Sequence, residues 1–425
     1  MHRSADYWID QTERADEILR DPPGIESLKR KSFAEDPHMV DLTAYPDQMP
    51  GEDVADIIQS ISKPYDIDHF YRDGGKLTDA DYAHYKASLN LAAIPGIVAV
   101  HFALVLQRAD MRTWPTEDVI FKSQETIELD RFQENGLFPA EVIIVLHESL
   151  DGLWSFVQSY NYAAWVRKDR IATGSRQEIL QYQNSSRLLV VTGSKVVTES
   201  DSVSSSVSGL PLDMGVRVPL VEPIELSTSS AAQNAHPCHA VRLPVCNQKG
   251  ELVFETALIA HDEDVHEGFL PFTRKNIIQQ AFKFLGERYG WGHSCDARDC
   301  TGLVLEVYKT FGIFLPRNSE QQGHSPVGRN IHFSPQDTAE DRLRALAATH
   351  AGDLIYSPGH VMLYLGMVQD QPYVIHDSSG PGWENHPDTD HVGTPSGVSV
   401  AALRSIQMSR EFTYFEKIYA IKTIG

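Results

Sequence analysis

From Thr273 onward the hydrophobic pattern changes period, and that change constrains the fold more than any other feature of the chain. In TRKNIIQQAFKFLG the apolar residues Ile277, Ile278, Ala281, Phe282 and Leu285 recur at helical spacing, with Thr273 placed as N-cap and Gly286 as terminator. A second helix is expected at about 300–311, with Leu303, Val304, Val307, Tyr308 and Phe311 on one face and Gly312 ending it. Strand-like runs follow: GHVMLYLGMV, PYVIHDSS and EFTYFEKIYAI. Two helices followed by strands in one domain is an α+β pattern.

Upstream the character is different. EVIIVLHE, LWSFVQS and AAWVRKDRI read as short strands, with SLDG as the turn between the first two. Short strands with turns at this spacing suggest a small β-barrel over residues 101–173. Residues 174–263 repeat that character in RLLVVTGSKVV and ELVFETALIA, with SDSVSSSVSG and STSSAAQNAHP as polar loops. Residues 1–100 mix loop with helical pattern, as in GIESLKRKSFAEDPHMVDL and DADYAHYKASLNLA. HDEDVHEGFLPFT (261–273) reads as an acidic hinge rather than a metal site, and the last domain spans 268–425.

The formal net charge of −21 argues against nucleic acid or an anionic membrane as partner, since both reward basic patches. The most apolar run, LNLAAIPGIVAVHFALVL, is broken by Asn90, Pro95, Gly96 and His101 and reads as core, so no integral membrane segment is expected. The start, MHRSADYWIDQTERADEILRD, has no apolar run of signal-peptide type. The four cysteines, Cys238, Cys246, Cys295 and Cys300, are too few for a disulfide scaffold, although one bridge between Cys238 and Cys246 is open. No zinc-type CxxC pair or HExxH motif occurs, so no metal or other cofactor is expected.

Cys300 stands where its helix begins, with Thr301 and Gly302 leading in. A free thiol has a pKa near 8.5, so only about 3% is thiolate at pH 7. A helix N-terminus favours negative charge and is expected to lower that value, which suits a nucleophile. A nucleophile needs a base, and two of the 18 histidines stand out by local structure. His360 opens the strand VMLYLG and His376 ends the strand YVI, positions that hold a ring in place at a cleft. Cysteine on a helix, histidine on a strand and a third polar residue on a neighbouring strand is a papain-type arrangement.

At these residues the sequence resembles the NlpC-type papain-like cell-wall peptidases, which cleave murein peptides. The resemblance rests on YGWGH (289–293), RDCTGLV (298–304), FLPRNSEQQ (314–322), AGDLIYSPGHVMLYLG (351–366) and YVIHDSS (373–379), and covers about a third of the chain. Upstream, LQRADMRTWPT and DGLWSFVQSYNYAAWV resemble the bacterial SH3-like barrel. The whole layout looks like a helical N-terminal part, two SH3-like barrels and a papain-like NlpC-type domain. It resembles the γ-D-glutamyl-L-diamino acid endopeptidases (dipeptidyl-peptidase VI), which release L-Ala-γ-D-Glu from peptides with a free N-terminal L-Ala.

The resemblance implies Cys300 as nucleophile, His360 as general base and His376 as third member. It implies that Asp299 binds the free α-amino group, with Thr301, Ser319 and Trp291 lining the pocket and Tyr160 or Tyr162 lent by the first barrel. Two departures stand out: His293 follows Gly292 where the family has paired glycines, and Thr301 replaces serine after the nucleophile. Cys295 lies in the loop and lacks the family context of a reactive thiol. Murein peptides are the expected substrate, and the wall-type barrels favour the cell envelope over the cytoplasm. The competing readings are a general murein endopeptidase with an open cleft and a non-enzymatic wall-binding protein.

Overall fold

The computed structural model describes residues 2–123, 129–200, 206–222, 238–380 and 396–425. The polar loop at 227–237, and residues 201–205 of the one at 200–209, lie outside the described residues. The chain forms two compact units, one from Met1–Met39 with Phe269–Gly425 and the other from Val40–Gly268. The region 1–100 therefore contributes to both.

The first unit is built on a six-stranded antiparallel sheet. Its strands are β1 (Arg329–His332), β2 (Leu354–Ser357), β3 (His360–Val368), β4 (Gln371–Ser378), β5 (Gly397–Ala402) and β6 (Ala420–Thr423), in the order β1-β6-β2-β3-β4-β5. One face buries Ile355, Met362, Tyr364, Val374 and Ile421 against Leu346, Leu403, Phe415 and Ile418. The helix Arg274–Phe282 starts where the sequence places it, with the Thr273 hydroxyl accepting from the Asn276 N–H at 3.1 Å. The helix Cys300–Lys309 packs against β3 and β4, and every one of its residues is buried. The N-terminal helices Ala5–Gln11 and Pro22–Glu35 belong to this unit; Trp8 is buried beside His2 and Tyr373.

The second unit carries a seven-stranded antiparallel sheet ordered Ile171–Gly174, His101–Val105, Val142–Glu148, Trp154–Gln158, Ala163–Arg167, Ala109–Arg112 and Gln133–Leu137. Alternating residues of these strands bury Phe102, Leu104, Ile144, Phe156 and Trp165 in one cluster and Ala103, Val105, Ile143, Val157 and Val166 in another. A helix, Asp79–Ser88, opens with a reciprocal Thr78–Asp81 capping box. Residues after 184 form a separate β core around Leu189, Val191, Leu212, Val218, Val241, Leu243 and Ile259. The apolar run at 89–106 becomes a short helical turn and two strands, and among the described residues no helix is long and apolar enough to cross a membrane.

Two sequence expectations are corrected here. Cys238 and Cys246 are free and stand at the two ends of one strand, Cys238–Cys246. Eight extended steps separate them by roughly 26 Å, far beyond the roughly 7 Å that a disulfide spans between α-carbons. The acidic segment 261–273 is not simply a linker: Val265–Glu267 pairs with Leu188–Val191, so hydrogen bonding builds its middle into a sheet.

Candidate active site

Cys300 is the first residue of its helix, and Asp299 is the N-cap. The Asp299 carboxylate takes the Gly302 N–H at 2.8 Å and the Thr301 hydroxyl at 2.8 Å on one oxygen, and the Gly292 N–H at 3.2 Å on the other. Arg317 closes the arrangement, donating to that second oxygen at 2.6 Å and also to the Thr301 hydroxyl. Burial alone would raise the Asp299 pKa, but Arg317, His293 and the Gly302 N–H hold it down to about 2. The carboxylate therefore stays charged at neutral pH and fixes the start of the helix.

The helix that Cys300 opens packs against β3, whose first residue is His360, and against β4, which carries His376. His360 Nε2 and His376 Nδ1 are 2.9 Å apart, and both rings are buried. Tyr414 covers His360 with ring centroids 4.7 Å apart. The remaining ring nitrogen of His376, Nε2, is buried without a partner.

The expected fall in the thiol pKa does not occur. Burial pushes the Cys300 thiol up to about 12, with the Asp299 charge adding to the rise and the Val361 N–H opposing it. Burial, then the neighbouring His376, holds His360 well below its ordinary value. The helix-end argument is local, whereas here the whole helix is buried and its N-cap is an anion. Thiol and imidazole both rest neutral, and the thiolate arises only when a proton passes to an imidazole.

The segment entering the helix is held by a second buried network. Arg298 donates to Glu306 at 2.6 Å and to Glu287, and its guanidinium lies 4.1 Å over the ring of Phe284. His293 Nε2 is 3.3 Å from the other Glu306 oxygen. His293 takes φ +67, a left-handed conformation that explains why glycine suits this place. Its ring instead packs on Gly302, where an added Cβ would come within 2.6 Å of His293 Nε2. Cys295 is exposed, at φ +56 in the turn.

The other residues singled out in the sequence fall as follows. Trp291 is half-buried in the turn before the helix, and Ser319 is buried as the first residue of the helix Ser319–His324, two positions after Arg317. In the other unit, Tyr160 packs partly buried against the main core, and the Tyr162 hydroxyl donates to Glu134 at 2.6 Å. Sequence reasoning missed four groups. Arg317 was visible in FLPRNSEQQ and Tyr289 in YGWGH, but neither carries a periodic signal. Tyr414 came within a strand-like run, and Asp377 follows His376 directly. Asp377 is fully buried, with neither carboxyl oxygen hydrogen-bonded.

A buried cysteine opening a helix that packs on two adjacent strands of an antiparallel sheet, each carrying one of two hydrogen-bonded histidines, fits a papain-like fold. Residues 286–393 match the NlpC/P60 family and residues 120–167 match the SH3 domain of SH3b1 type, so the chain carries an NlpC/P60 domain together with a bacterial SH3 domain. A curated relative, dipeptidyl-peptidase 6 of Lysinibacillus sphaericus, is 23% identical over 245 residues, which cover 57% of this chain and 78% of that protein. Among solved structures, an NlpC/P60 endopeptidase from Photobacterium damselae subsp. piscicida superposes with a TM-score of 0.78 at 17% identity, covering 99% of this chain and 96% of that one. An NlpC/P60 family protein from Bacillus cereus gives a TM-score of 0.46 at 18% identity, over 69% of this chain and 82% of that one.

Proposed function

We propose that this protein is a cysteine peptidase that hydrolyses the γ-D-Glu to diamino acid bond of murein peptides with a free N-terminal L-Ala, releasing L-Ala-γ-D-Glu. The observation that carries the reading is buried Cys300 at the head of a helix that packs on the two strands carrying the hydrogen-bonded pair His360–His376. Cys300 attacks the γ-carbonyl as its proton passes to His360. The proton then goes to the departing amine of the diamino acid, and water hydrolyses the thioester. For His360 to act this way its Nδ1 must be the accepting nitrogen, so Nε2 carries the hydrogen and donates to His376 Nδ1. The first-turn N–H groups of Cys300 and Thr301 have no acceptor within the helix and are suited to the oxyanion.

The cationic α-amine marks a peptide already freed from glycan, and anionic Asp299 lies next to the nucleophile to receive it. Acylation removes the charge, so the pocket discriminates against wall-attached peptide. The same reading places the protein in the cell envelope, where murein turnover supplies such peptides. The test is mass-spectrometric digestion of L-Ala-γ-D-Glu-meso-diaminopimelate, free and N-acetylated. The free peptide should yield L-Ala-γ-D-Glu, the acetylated one should resist, and Cys300→Ala should lower turnover by at least about 10⁴-fold. Equal cleavage of both forms would favour the general murein endopeptidase instead.

A further inference from the structure

The proposed reaction puts a positive charge on His360, whose surroundings oppose one. Taking the Cys300 proton turns a neutral thiol and imidazole into thiolate and imidazolium. His360 is buried, and burial, with the charge of His376 adding, holds its pKa well below the ordinary value. In a triad with a carboxylate as third member, that anion orients the base and stabilises its imidazolium. Here the third member is His376, which brings no anion. Burial lowers its own pKa to about 4, and its far nitrogen, Nε2, is buried without a partner. Neither aspartate of the site is a free anion. Asp299 is held by Arg317, His293 and the Gly302 N–H, and Asp377, pushed up to about 9 by burial, rests protonated.

What does lie against His360 is an aromatic ring. The ring centroids of Tyr414 and His360 are 4.7 Å apart, with their planes inclined at 40°. That is inside the roughly 6 Å over which an aromatic ring attracts a cation, an attraction that grows where water is excluded. The fold fixes this neighbour in place. The Ser357 hydroxyl donates to the Tyr414 carbonyl at 2.8 Å, and Ser357 is the residue opposite His360 in the β2–β3 pair. The Tyr414 N–H donates to the Ile406 carbonyl at 3.0 Å, and Phe415 beside it is buried in the core with Ile406 and Ile418. One end of the β2–β3 pair thus sets both rings. Burial, with the Cys300 charge adding, pushes the Tyr414 phenol up to about 12. It stays un-ionised at neutral pH, so its contribution beside His360 is a neutral ring and not a phenolate.

We propose that Tyr414 is a positioning residue that acts through His360: its ring keeps the imidazole in place and stabilises the imidazolium formed when the Cys300 proton arrives. The ring takes the part that a carboxylate plays in other triads. This rests on the reading of Cys300 and His360 as nucleophile and base, and not on which peptide is cleaved. The proton leaves the Cys300 sulfur for His360 Nδ1, the thiolate keeps the electron pair, and Tyr414 neither gains nor loses a proton.

The test reads the thiolate first and the peptide second. In the full chain at neutral pH, iodoacetamide alkylation of Cys300 is timed by peptide mass mapping, which separates it from the free cysteines Cys238, Cys246 and Cys295. Tyr414→Leu should slow that alkylation at least about tenfold, and Tyr414→Phe should stay within about threefold of wild type. Phenylalanines of increasing ring fluorination at position 414 keep the shape of the ring while draining its π density, so the rate should fall at each step. A flat fluorination series would overturn the proposal, even if Tyr414→Leu folds poorly. So would Tyr414→Phe as slow as Tyr414→Leu, or wild-type Cys300 reacting no faster than in His360→Ala. With free L-Ala-γ-D-Glu-meso-diaminopimelate the same variants should lower kcat and leave KM within about twofold. A loss confined to KM would make Tyr414 a substrate contact and sink the proposal. Ring-dependent alkylation in a protein that cleaves no such peptide would uphold the role of Tyr414 and end the murein reading alone.

Discussion

The head of the cysteine helix and the end of strand β4 each bury an aspartate, and they treat it in opposite ways. At the helix head, two backbone N–H groups, a hydroxyl and a guanidinium converge on Asp299 and hold its pKa to about 2. On β4, Asp377 finds no donor, and burial pushes its carboxyl up to about 9. The same side chain at nearly the same depth becomes a permanent anion in one place and a neutral acid in the other. Burial therefore does not decide charge; the supply of donors does. The satisfied aspartate fixes the start of the helix, and the unsatisfied one makes no hydrogen bond in the folded protein.

Removing the donor should abolish that difference at the helix head. Arg317→Met leaves Asp299 buried without its cation and should cost about 3–5 kcal/mol of stability, read by urea denaturation. The pH dependence gives the sign. With its folded pKa depressed, Asp299 contributes stability that is present above the unfolded value and is lost as pH falls from about 4 toward 2. In Arg317→Met that contribution should be missing at neutral pH. Asp299→Asn added to Arg317→Met should recover part of the loss, because no unpaired charge then remains.

How far this contrast was legible in the sequence depends on the range of each interaction. The helical period and the Thr273 cap are local, and they mark both helices close to where they stand. The places of Cys300 and His360 at element starts followed from the same local patterns, whereas His376, read as the end of its strand, stands inside a strand that runs on to Ser378. Arg317 and Asp299 meet across 18 residues of sequence, with no period to join them. Asp377 in YVIHDSS reads as part of the polar finish of a strand, and only the folded structure shows it paired with Val398 and fully buried. The thiol pKa was misjudged for a related reason. A helix-end dipole can be read from one segment, but the burial of all ten helix residues is a property of the whole unit. Cys238 and Cys246 looked bridgeable until the intervening residues proved to be extended strand.

The unsatisfied aspartate should behave in the reverse sense. Its folded pKa is raised, so the native state keeps a proton that the unfolded chain loses above about 4. Asp377 therefore makes the protein less stable as pH rises from about 4 to about 9. By pH 7 the penalty reaches up to about 4 kcal/mol, part of which a buried asparagine amide without partners would give back. Asp377→Asn should be more stable than wild type by about 2 kcal/mol at pH 7, and should show no matching decline between pH 4 and pH 9. Thermal melts across that range read both. A variant less stable than wild type at pH 8 would mean that Asp377 has partners in the folded protein.

The smallest effect concerns the residue that lets the helix head be built at all. Gly302 donates to Asp299 and also leaves the space that the His293 ring fills. A Cβ there would come within 2.6 Å of His293 Nε2, on a ring that is buried and paired with Glu306 and so cannot swing away. Gly302→Ala should cost about 1–2 kcal/mol through that overlap, less a small gain from the better helix former. His293→Gly removes the ring and relieves the left-handed backbone at φ +67. In that background Gly302→Ala should cost nothing measurable, and the double-mutant cycle should return a coupling close to the single-variant penalty. A Gly302→Ala penalty that persisted without the ring would instead trace to the Asp299 cap, and the two buried networks at the helix head would then be one.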